Sequence, residues 1–244
     1  DEKLKKLLDD IIYPDCRERL KSEILDSIGY HSFPKKLKSS EPSIITNTVS
    51  NKTEIEETQY FIDMDVRGHI IGVLWLLLIG WRLDKGVYEH SYGNRIRKKL
   101  INDFSKNVTF SPNLFEPYYV LYESWRDTAL SCARKSLDKS QDVMILTMDF
   151  SRFYYSLDVT RDSFKCFFEL IEENIQSEPL YKELHFFIYE IIERYSEKLG
   201  KLFDGRKVLP IGFLPSNVLA NCYLSKFDKA VIDGLNPMYY GRYV

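Results

Sequence analysis

Cysteine is scarce in this 244-residue sequence, and it never occurs in a short paired motif. The four cysteines are Cys16, Cys132, Cys166 and Cys222, and no two of them form a Cys-x-x-Cys pair. Their spacing fits neither a zinc site nor a disulfide framework. Scattered free thiols are typical of proteins from a reducing compartment, so the sequence predicts a cytoplasmic protein.

Long apolar runs are also lacking. The first residues, DEKLKKLLDDII, are charged throughout and have no apolar core of the signal-peptide kind. The most apolar stretch, IIGVLWLLLIGW at 70–81, lies between Arg67 and Arg82. A helix that spans a bilayer needs about 20 apolar residues. We therefore expect a buried helix here and no membrane partner.

A large excess of charge of one sign is also lacking, since the formal net charge is −2. A near-neutral total neither supports nor excludes a local basic groove for nucleic acid. Hydrophobic residues make up 44% of the chain and aromatic residues 14%. That composition excludes a disordered chain and allows a sizeable core. No internal repeat is visible.

Apolar residues recur at helical spacing along most of the chain. Pro14 is expected to separate two N-terminal helices within 3–28. Gly200 is expected to end a helix that carries an aromatic stripe. The further helices are predicted at 66–83, 116–137, 164–171, 180–195 and 217–232.

Strand signals are few and come late. The run VMILTM at 143–148 is uniformly apolar and of strand length, which predicts a central strand covered on both faces. Strand-forming residues recur at 239–244. The polar stretch 32–58 is predicted to be an extended or mobile connector, and its lysines suit a solvated loop as well as a nucleic-acid contact. The fold class is therefore α+β.

The first chemical signal is Asp149, at the end of the apolar run and followed by FSRFYYSL. A carboxylate where a buried strand emerges is rigidly held and can bind a hard cation such as Mg²⁺. Taken alone, Asp149 suits a turn or a strand-end cap equally well. The second signal is LPIGFLPS at 209–216, about sixty residues later, where Pro215 and Ser216 can start a helix.

The segment MDFSRFYYSLD resembles the first palm motif of reverse transcriptases. That resemblance implies that Asp149 binds both catalytic metals and that the carbonyl of Phe150 completes one metal site. It implies that Arg152 and Phe153 present backbone N–H groups to the incoming triphosphate. It also implies that Tyr154 lies under the sugar and obstructs a 2′-hydroxyl, which favours deoxynucleotides; core packing is the alternative for Tyr154.

The segment LPIGFLPS is similar to the second palm motif of that family, an LPxGxxxS loop that opens a long helix. The resemblance implies that Gly212 lets the backbone approach the nascent base pair. Pro210, Ile211 and Ser216 would then contact the template strand. Ile211 departs from the common pattern, which has glutamine there, and so removes a side-chain hydrogen bond.

The C-terminal GRYV resembles the residues that precede two catalytic aspartates in the family, so we expect Asp-Asp directly after Val244. Two metals about 3.5–4 Å apart need several carboxylates, and this chain alone is therefore expected to be inactive. SYGNR at 91–95 and WRDTAL at 125–130 resemble segments of bacterial intron-like reverse transcriptases. The likeness covers 60–244 and is greatest to abortive-infection and defence-associated members.

The resemblance implies a helix-rich fingers region followed by a partial palm, with the thumb absent. The predicted divisions are 1–58, a helical extension and connector; 59–140, a fingers-like region; and 141–244, the partial palm. The usual basic strand pair of the fingers is not found, and for Arg67, the nearest candidate, structural use is expected.

The implied cofactor is Mg²⁺, with Mn²⁺ as a substitute. The implied partners are dNTPs, an RNA template, a DNA product and a non-coding RNA, and also a partner protein or a second copy of the chain. The implied role is RNA-directed DNA synthesis in bacterial antiviral defence. Two alternatives stay open: a catalytically inactive polymerase-like module that binds RNA or a protein, and a helical scaffold whose motif matches are accidental.

Overall fold

A computed structural model describes residues 2–37, 55–97 and 113–244 of the protein. The fold is α+β, as predicted: within these residues, many helices accompany a small two-stranded antiparallel sheet. In chain order the elements are α1 (Glu2–Ile12), α2 (Pro14–Ser27), β1 (Gly29–Leu37), β2 (Ile55–Asp63), α3 (Val66–Trp75), a π-helical turn (Leu76–Gly80), α4 (Trp81–Lys85), α5 (Tyr118–Leu137), α6 (Phe153–Ser156), α7 (Arg161–Glu169), α8 (Glu173–Gln176), α9 (Pro179–Leu199), a 3₁₀ turn (Gly200–Phe203) and α10 (Leu214–Leu235).

The predicted helices are confirmed at every position named from the sequence. Pro14 begins α2, where its missing N–H costs no hydrogen bond, and so separates α1 from α2. Gly200 ends α9 with φ +60°, a conformation that glycine adopts without a Cβ clash. Helix α10 begins three residues earlier than predicted, because Pro215 fits its first turn.

The apolar stretch forms one longer helical rod, Val66–Lys85, made of α3, the π turn and α4. It matches the helix predicted at 66–83 to within two residues, and by length and composition it could cross a membrane. Trp75 and Ile79 are nevertheless fully buried, and the rod packs against α9 and α10. A single apolar helix of this kind is consistent with the core of a soluble protein.

The stretch 32–58, predicted to be an extended or mobile connector, is extended at its described ends, but these ends form a β-hairpin and not a connector. Strands β1 and β2 pair antiparallel, with Tyr30 opposite Ile62 and an irregularity after Pro34. Edge-to-face contacts join the aromatic rings across the strands, Tyr30 to Tyr60 and Phe33 to Phe61. Such pairs supply the stabilisation that the local sequence pattern did not reveal. Lys38 lies outside the described residues.

The central strand predicted at 143–148 is not found. The segment 141–150 has no regular secondary structure, and Met144 is 94% exposed. A strand needs a neighbour that accepts and donates its backbone hydrogen bonds, and no described segment pairs with this one. The strand predicted at 239–244 is likewise reduced to an isolated parallel bridge between Ser91 and Arg242.

Two features of the structure concern the predicted divisions of the chain. Strand β2 (Ile55–Asp63) crosses the boundary placed between residues 58 and 59. One apolar core also runs through all three divisions, with Ile24, Trp75 and Ile188 among its fully buried members.

Candidate active site

Asp149 and Phe150 lie at the end of the exposed segment that precedes α6. The Asp149 side chain is exposed, and no hydrogen bond or ion pair holds it among the described residues. The Phe150 ring packs edge-on against Phe227 of α10, at 5.2 Å between ring centroids, and contacts Phe153 at 5.7 Å. The aromatic ring therefore anchors the segment while the carboxylate faces solvent.

The turn that follows is built around Arg152. This residue has φ +52°, in the left-handed region that a non-glycine side chain enters only at a cost, and it caps the short helix α6. Its guanidinium lies 3.5 Å from Glu57 of β2. Phe153 is half-buried at the first position of α6. The turn thus faces the hairpin, and the charge of the Arg152 side chain lies at the surface.

Tyr154 joins the first motif to the second. Its hydroxyl donates to Oδ1 of Asn217 in α10 at 2.9 Å, and its carbonyl accepts from Leu209 N at 3.1 Å. Burial raises the pKa of Tyr154 to about 12, so the phenol stays protonated and able to donate at neutral pH. The sequence had indicated Asn217, directly after the LPIGFLPS motif, only as a helix start and not as a site residue.

The LPIG loop is held against the hairpin by its backbone. The amide of Ile62 in β2 donates to the carbonyl of Ile211 at 2.9 Å, within a parallel bridge between Phe61 and Ile211. Gly212 follows with φ +86° and is exposed, and a Cβ there would meet the Phe61 ring at 3.5 Å. The positive φ, more than the space, therefore requires glycine at this position.

The three residues predicted to contact the template lie mostly inside. Pro210 is buried, Ile211 is half-buried, and Ser216 is fully buried near the start of α10. The Ser216 hydroxyl has no hydrogen-bond partner within the part of the chain that is described. In this arrangement Gly212, rather than Ser216, is open to a ligand, and template contact by these three residues stays a prediction.

Charged residues of the hairpin complete this surface. The sequence had indicated its lysines as suiting either a nucleic-acid contact or a solvated loop, but it had not indicated Glu57. Glu57 accepts a hydrogen bond from Nζ of Lys35 at 3.0 Å and also faces Arg152. The Lys35 hydrogen bond is the main cause that lowers the pKa of Glu57, and Arg152 contributes as well. The strand-forming aromatic and β-branched residues of GYHSF and TQYFID are the signal that could have revealed the hairpin. Arg67 is instead held by Asp65 and Glu23, the structural use expected for it.

The oxygen donors suit a divalent metal in kind but not in number. The Asp149 carboxylate and the Phe150 carbonyl are hard donors of the type that Mg²⁺ prefers. Across residues 2–37, 55–97 and 113–244, no group of three or more acidic, histidine or cysteine side chains could hold a metal ion. Asp149 and Phe150 could therefore supply two of the oxygen ligands of a metal ion.

The three remaining segments that resemble reverse transcriptases meet at the C-terminus. The amide of Tyr92, in SYGNR, donates to the carbonyl of Arg242 at 2.9 Å, and the amide of Arg242 donates to the carbonyl of His90 at 3.1 Å. The indole of Trp125, in WRDTAL, donates to the carbonyl of Gly241 at 3.1 Å. Residues 241–244 are thus held between the 90–94 segment and α5.

Comparisons of the chain with protein-family models, with curated proteins and with solved structures find no match.

Proposed function

We propose that this chain is the fingers and the first part of the palm of an RNA-directed DNA polymerase. The observation that carries the proposal is the junction of the two motifs, which lie 63 residues apart at their hydrogen-bonded side chains. Tyr154 bonds to Leu209 through its carbonyl and to Asn217 through its hydroxyl. The bond between Ile62 and Ile211 adds the hairpin to the same surface. Contact between the two motifs is what the resemblance implies, and it supports the proposal on that ground.

The chain's own residues have separable roles in this proposal. Asp149 provides a carboxylate ligand and Phe150 a carbonyl ligand, while the remaining ligands are expected directly after Val244. A bound Mg²⁺ or Mn²⁺ pair supplies activation of the primer 3′-hydroxyl and neutralisation of the leaving pyrophosphate. Arg152 and Phe153 offer backbone N–H groups to the triphosphate. The Tyr154 ring, fixed by Asn217, obstructs a 2′-hydroxyl.

The partners follow from this activity. They are dNTPs, an RNA template and a DNA product. The protein would act in the cytoplasm, and its resemblance to defence-associated reverse transcriptases suggests a role in bacterial antiviral defence. Gly212 is exposed, which would let a base pair approach the backbone. Lys35 and Arg152 both pair with Glu57 of the hairpin, so a bound triphosphate would compete with this one carboxylate for two cations.

The test is nucleotide incorporation by the natural polypeptide that carries this chain, on a primed RNA template. We expect Asp149→Asn to abolish incorporation, because the amide cannot replace an anionic metal ligand. Asp142→Asn is the matched control, since Asp142 is an exposed carboxylate at the other end of the same segment. We expect it to incorporate dNTPs normally. Normal dNTP incorporation by Asp149→Asn would contradict the proposal.

An inactive RNA-binding or protein-binding module is the second candidate. The observation that favours it is Ile211, an apolar residue that packs on the core where the family commonly has a polar one. Two non-acidic residues after Val244, together with RNA binding that is unaffected by Asp149→Asn, would establish this candidate over the polymerase.

A further inference from the structure

The outer edge of β2, on the side away from β1, is closed in part by side-chain hydroxyls. The amide of Tyr60 donates to the Tyr155 hydroxyl at 2.8 Å, and the Tyr60 carbonyl accepts from the Tyr195 hydroxyl at 2.7 Å. Two residues later, the amide of Ile62 donates to the carbonyl of Ile211 at 2.9 Å. Free backbone groups at a sheet edge are open to a neighbour, so these bonds take the place of a third strand.

Packing holds the two hydroxyls in place. Tyr155 and Tyr195 are buried, and the Tyr155 ring stacks on Phe203 at 4.4 Å between ring centroids. The Tyr60 ring meets Phe203 edge-on at 5.8 Å. Burial raises the pKa of both Tyr155 and Tyr195, so each phenol keeps its proton at neutral pH. Tyr60, Tyr155 and Tyr195 together are named the tyrosine clasp.

A second contact joins β2 to α6, three residues before the clasp on each element. Arg152, which caps α6, lies 3.5 Å from Glu57 of β2, and Glu57 also accepts from Lys35 at 3.0 Å. The clasp and this contact are linked within α6, because the Tyr155 amide donates to the Arg152 carbonyl at 2.8 Å. The hairpin is thus held to α6 by an uncharged, buried clasp and by an ionic contact at the surface.

An anion affects these two contacts differently. Phosphate oxygens can replace the Glu57 carboxylate on Lys35 and Arg152, since the side chains of both cations are about half exposed. They cannot replace the clasp bonds, because the hydroxyls of Tyr155 and Tyr195 are buried and uncharged. When Glu57 is displaced, the clasp therefore still holds β2 against α6, and the two cations keep their separation.

We infer that Tyr155 and Tyr195 are positioning residues, which keep Lys35 of the hairpin and Arg152 of the turn together around the triphosphate of an incoming nucleotide. This inference rests on the proposed function, which supplies the triphosphate. The two tyrosines act through the backbone of Tyr60. A site that is already held in its bound arrangement loses less freedom on binding, so the clasp raises the affinity for the anion.

The test measures the affinity of inorganic tripolyphosphate for the natural polypeptide that carries this chain, by calorimetry and without primer or template. Tyr155→Phe keeps the ring and removes only the hydroxyl. Tyr189→Phe is the matched control, because Tyr189 is a buried tyrosine of α9 whose hydroxyl accepts from Nζ of Lys207 at 2.6 Å and not from the hairpin. Lys35→Gln shows whether the anion binds at this place. Should Tyr155→Phe fail to fold, Tyr195→Phe removes the other hydroxyl of the clasp.

We expect Tyr155→Phe, or Tyr195→Phe in its place, to bind tripolyphosphate about 10-fold more weakly, which corresponds to the loss of one buried hydrogen bond. Lys35→Gln should also bind it more weakly. Tyr189→Phe should match the affinity of the wild type, even where it lowers the stability of the fold. Wild-type affinity in the clasp variant, or an equal loss in Tyr189→Phe, overturns the inference. Unchanged binding by Lys35→Gln also overturns it, since the anion then lies elsewhere.

Nucleotide incorporation separates this inference from the polymerase proposal. With an active wild type, Tyr155→Phe should raise the KM for dNTPs about 10-fold and leave kcat within about twofold, because the clasp affects binding of the triphosphate and not the reaction itself. An unchanged KM overturns the inference while the polymerase proposal stands. If the wild type incorporates no nucleotide, the polymerase proposal fails, whereas the tripolyphosphate comparison still decides whether the clasp positions Lys35 and Arg152.

Discussion

The apolar rod Val66–Lys85 and the region 118–150 are both rich in large apolar residues, yet their surroundings are opposite. In the rod, Trp75 and Ile79 are fully buried against α9 and α10. In the second region, Tyr118 is 75% exposed and Leu146 is 70% exposed. Apolar composition therefore predicts a buried side chain only where a second apolar surface is present to cover it.

Polar groups sharpen the same contrast. The rod accommodates a fully buried His185 because both ring nitrogens have partners: Trp75 Nε1 donates to Nδ1 at 3.2 Å, and Nε2 lies 2.8 Å from the carbonyl of Phe164. Since the indole can only donate, Nδ1 must accept and Nε2 must carry the proton. Backbone groups of 143–148 have no such protein partners among the described residues.

The largest expected effect is on the buried side of this comparison. We expect Trp75→Ala to lower the free energy of unfolding by about 3–5 kcal/mol, because it leaves a cavity and an unpaired His185 nitrogen. Tyr118→Ala should change it by about 0.5 kcal/mol or less, since this ring is mostly exposed. Denaturant unfolding of both variants measures the two values. Similar losses would show that the two regions are packed alike.

The second prediction concerns ion pairs in the two regions. Asp84 is buried beside Arg95, whereas Asp127 of α5 is exposed beside Arg126 at 2.7 Å. Asp84→Asn should destabilise the fold by about 3 kcal/mol, because it leaves the Arg95 charge without its anion. The same change at Asp127 should give no measurable loss, because solvent screens an exposed pair. Chemical denaturation followed by circular dichroism compares them, and equal losses contradict the burial argument.

The third prediction is a pH dependence that comes from His185 of α9, which packs against Trp75 of the rod. Burial lowers the pKa of His185 to about 4, and the unfolded value is about 6.5. The unfolded state therefore binds more protons between these values, so stability is complete above pH 6.5 and falls as the pH drops toward 4. The loss from this one residue amounts to roughly 3 kcal/mol.

Unfolding of the wild type and two variants over this pH range measures the effect. His185→Gln should be less stable at pH 7 but should lose less stability on acidification. His31→Gln is the control, because His31 is exposed and pairs with Asp63 at the surface. Parallel pH profiles for all three proteins would rule out His185 as the titrating group.

Helices were predictable from the sequence because their hydrogen bonds and their apolar periodicity are local. Pro14 and Gly200 mark helix ends through their own backbone preferences, and both predictions were confirmed. Strands were not predictable, since a strand depends on its neighbour. Thus β1 and β2 were taken for a connector, while 143–148 was taken for a buried strand.

The candidate site divides in the same way. Asp149, Tyr154 and Gly212 were found because they stand in contiguous motifs. Glu57 was missed and Asn217 was predicted only as a helix start, since the site role of each is recognised only by a contact with a residue far away in sequence. The resemblance identified the residues within the motifs, whereas the residues that contact them from distant parts of the chain could be identified only from the structure.

The smallest expected effect tests the exposed side of the comparison directly. Leu146 lies in the middle of the apolar segment and is 70% exposed, so Leu146→Ser removes little buried surface. We expect this chain to lose about 0.5 kcal/mol or less on that change, while the same change at fully buried Ile188 of α9 should cost several times more. Thermal unfolding of the two variants measures this. A large loss at Leu146 would mean that the segment is covered in solution, and amide exchange across 143–148 would then show whether backbone pairing accompanies that cover.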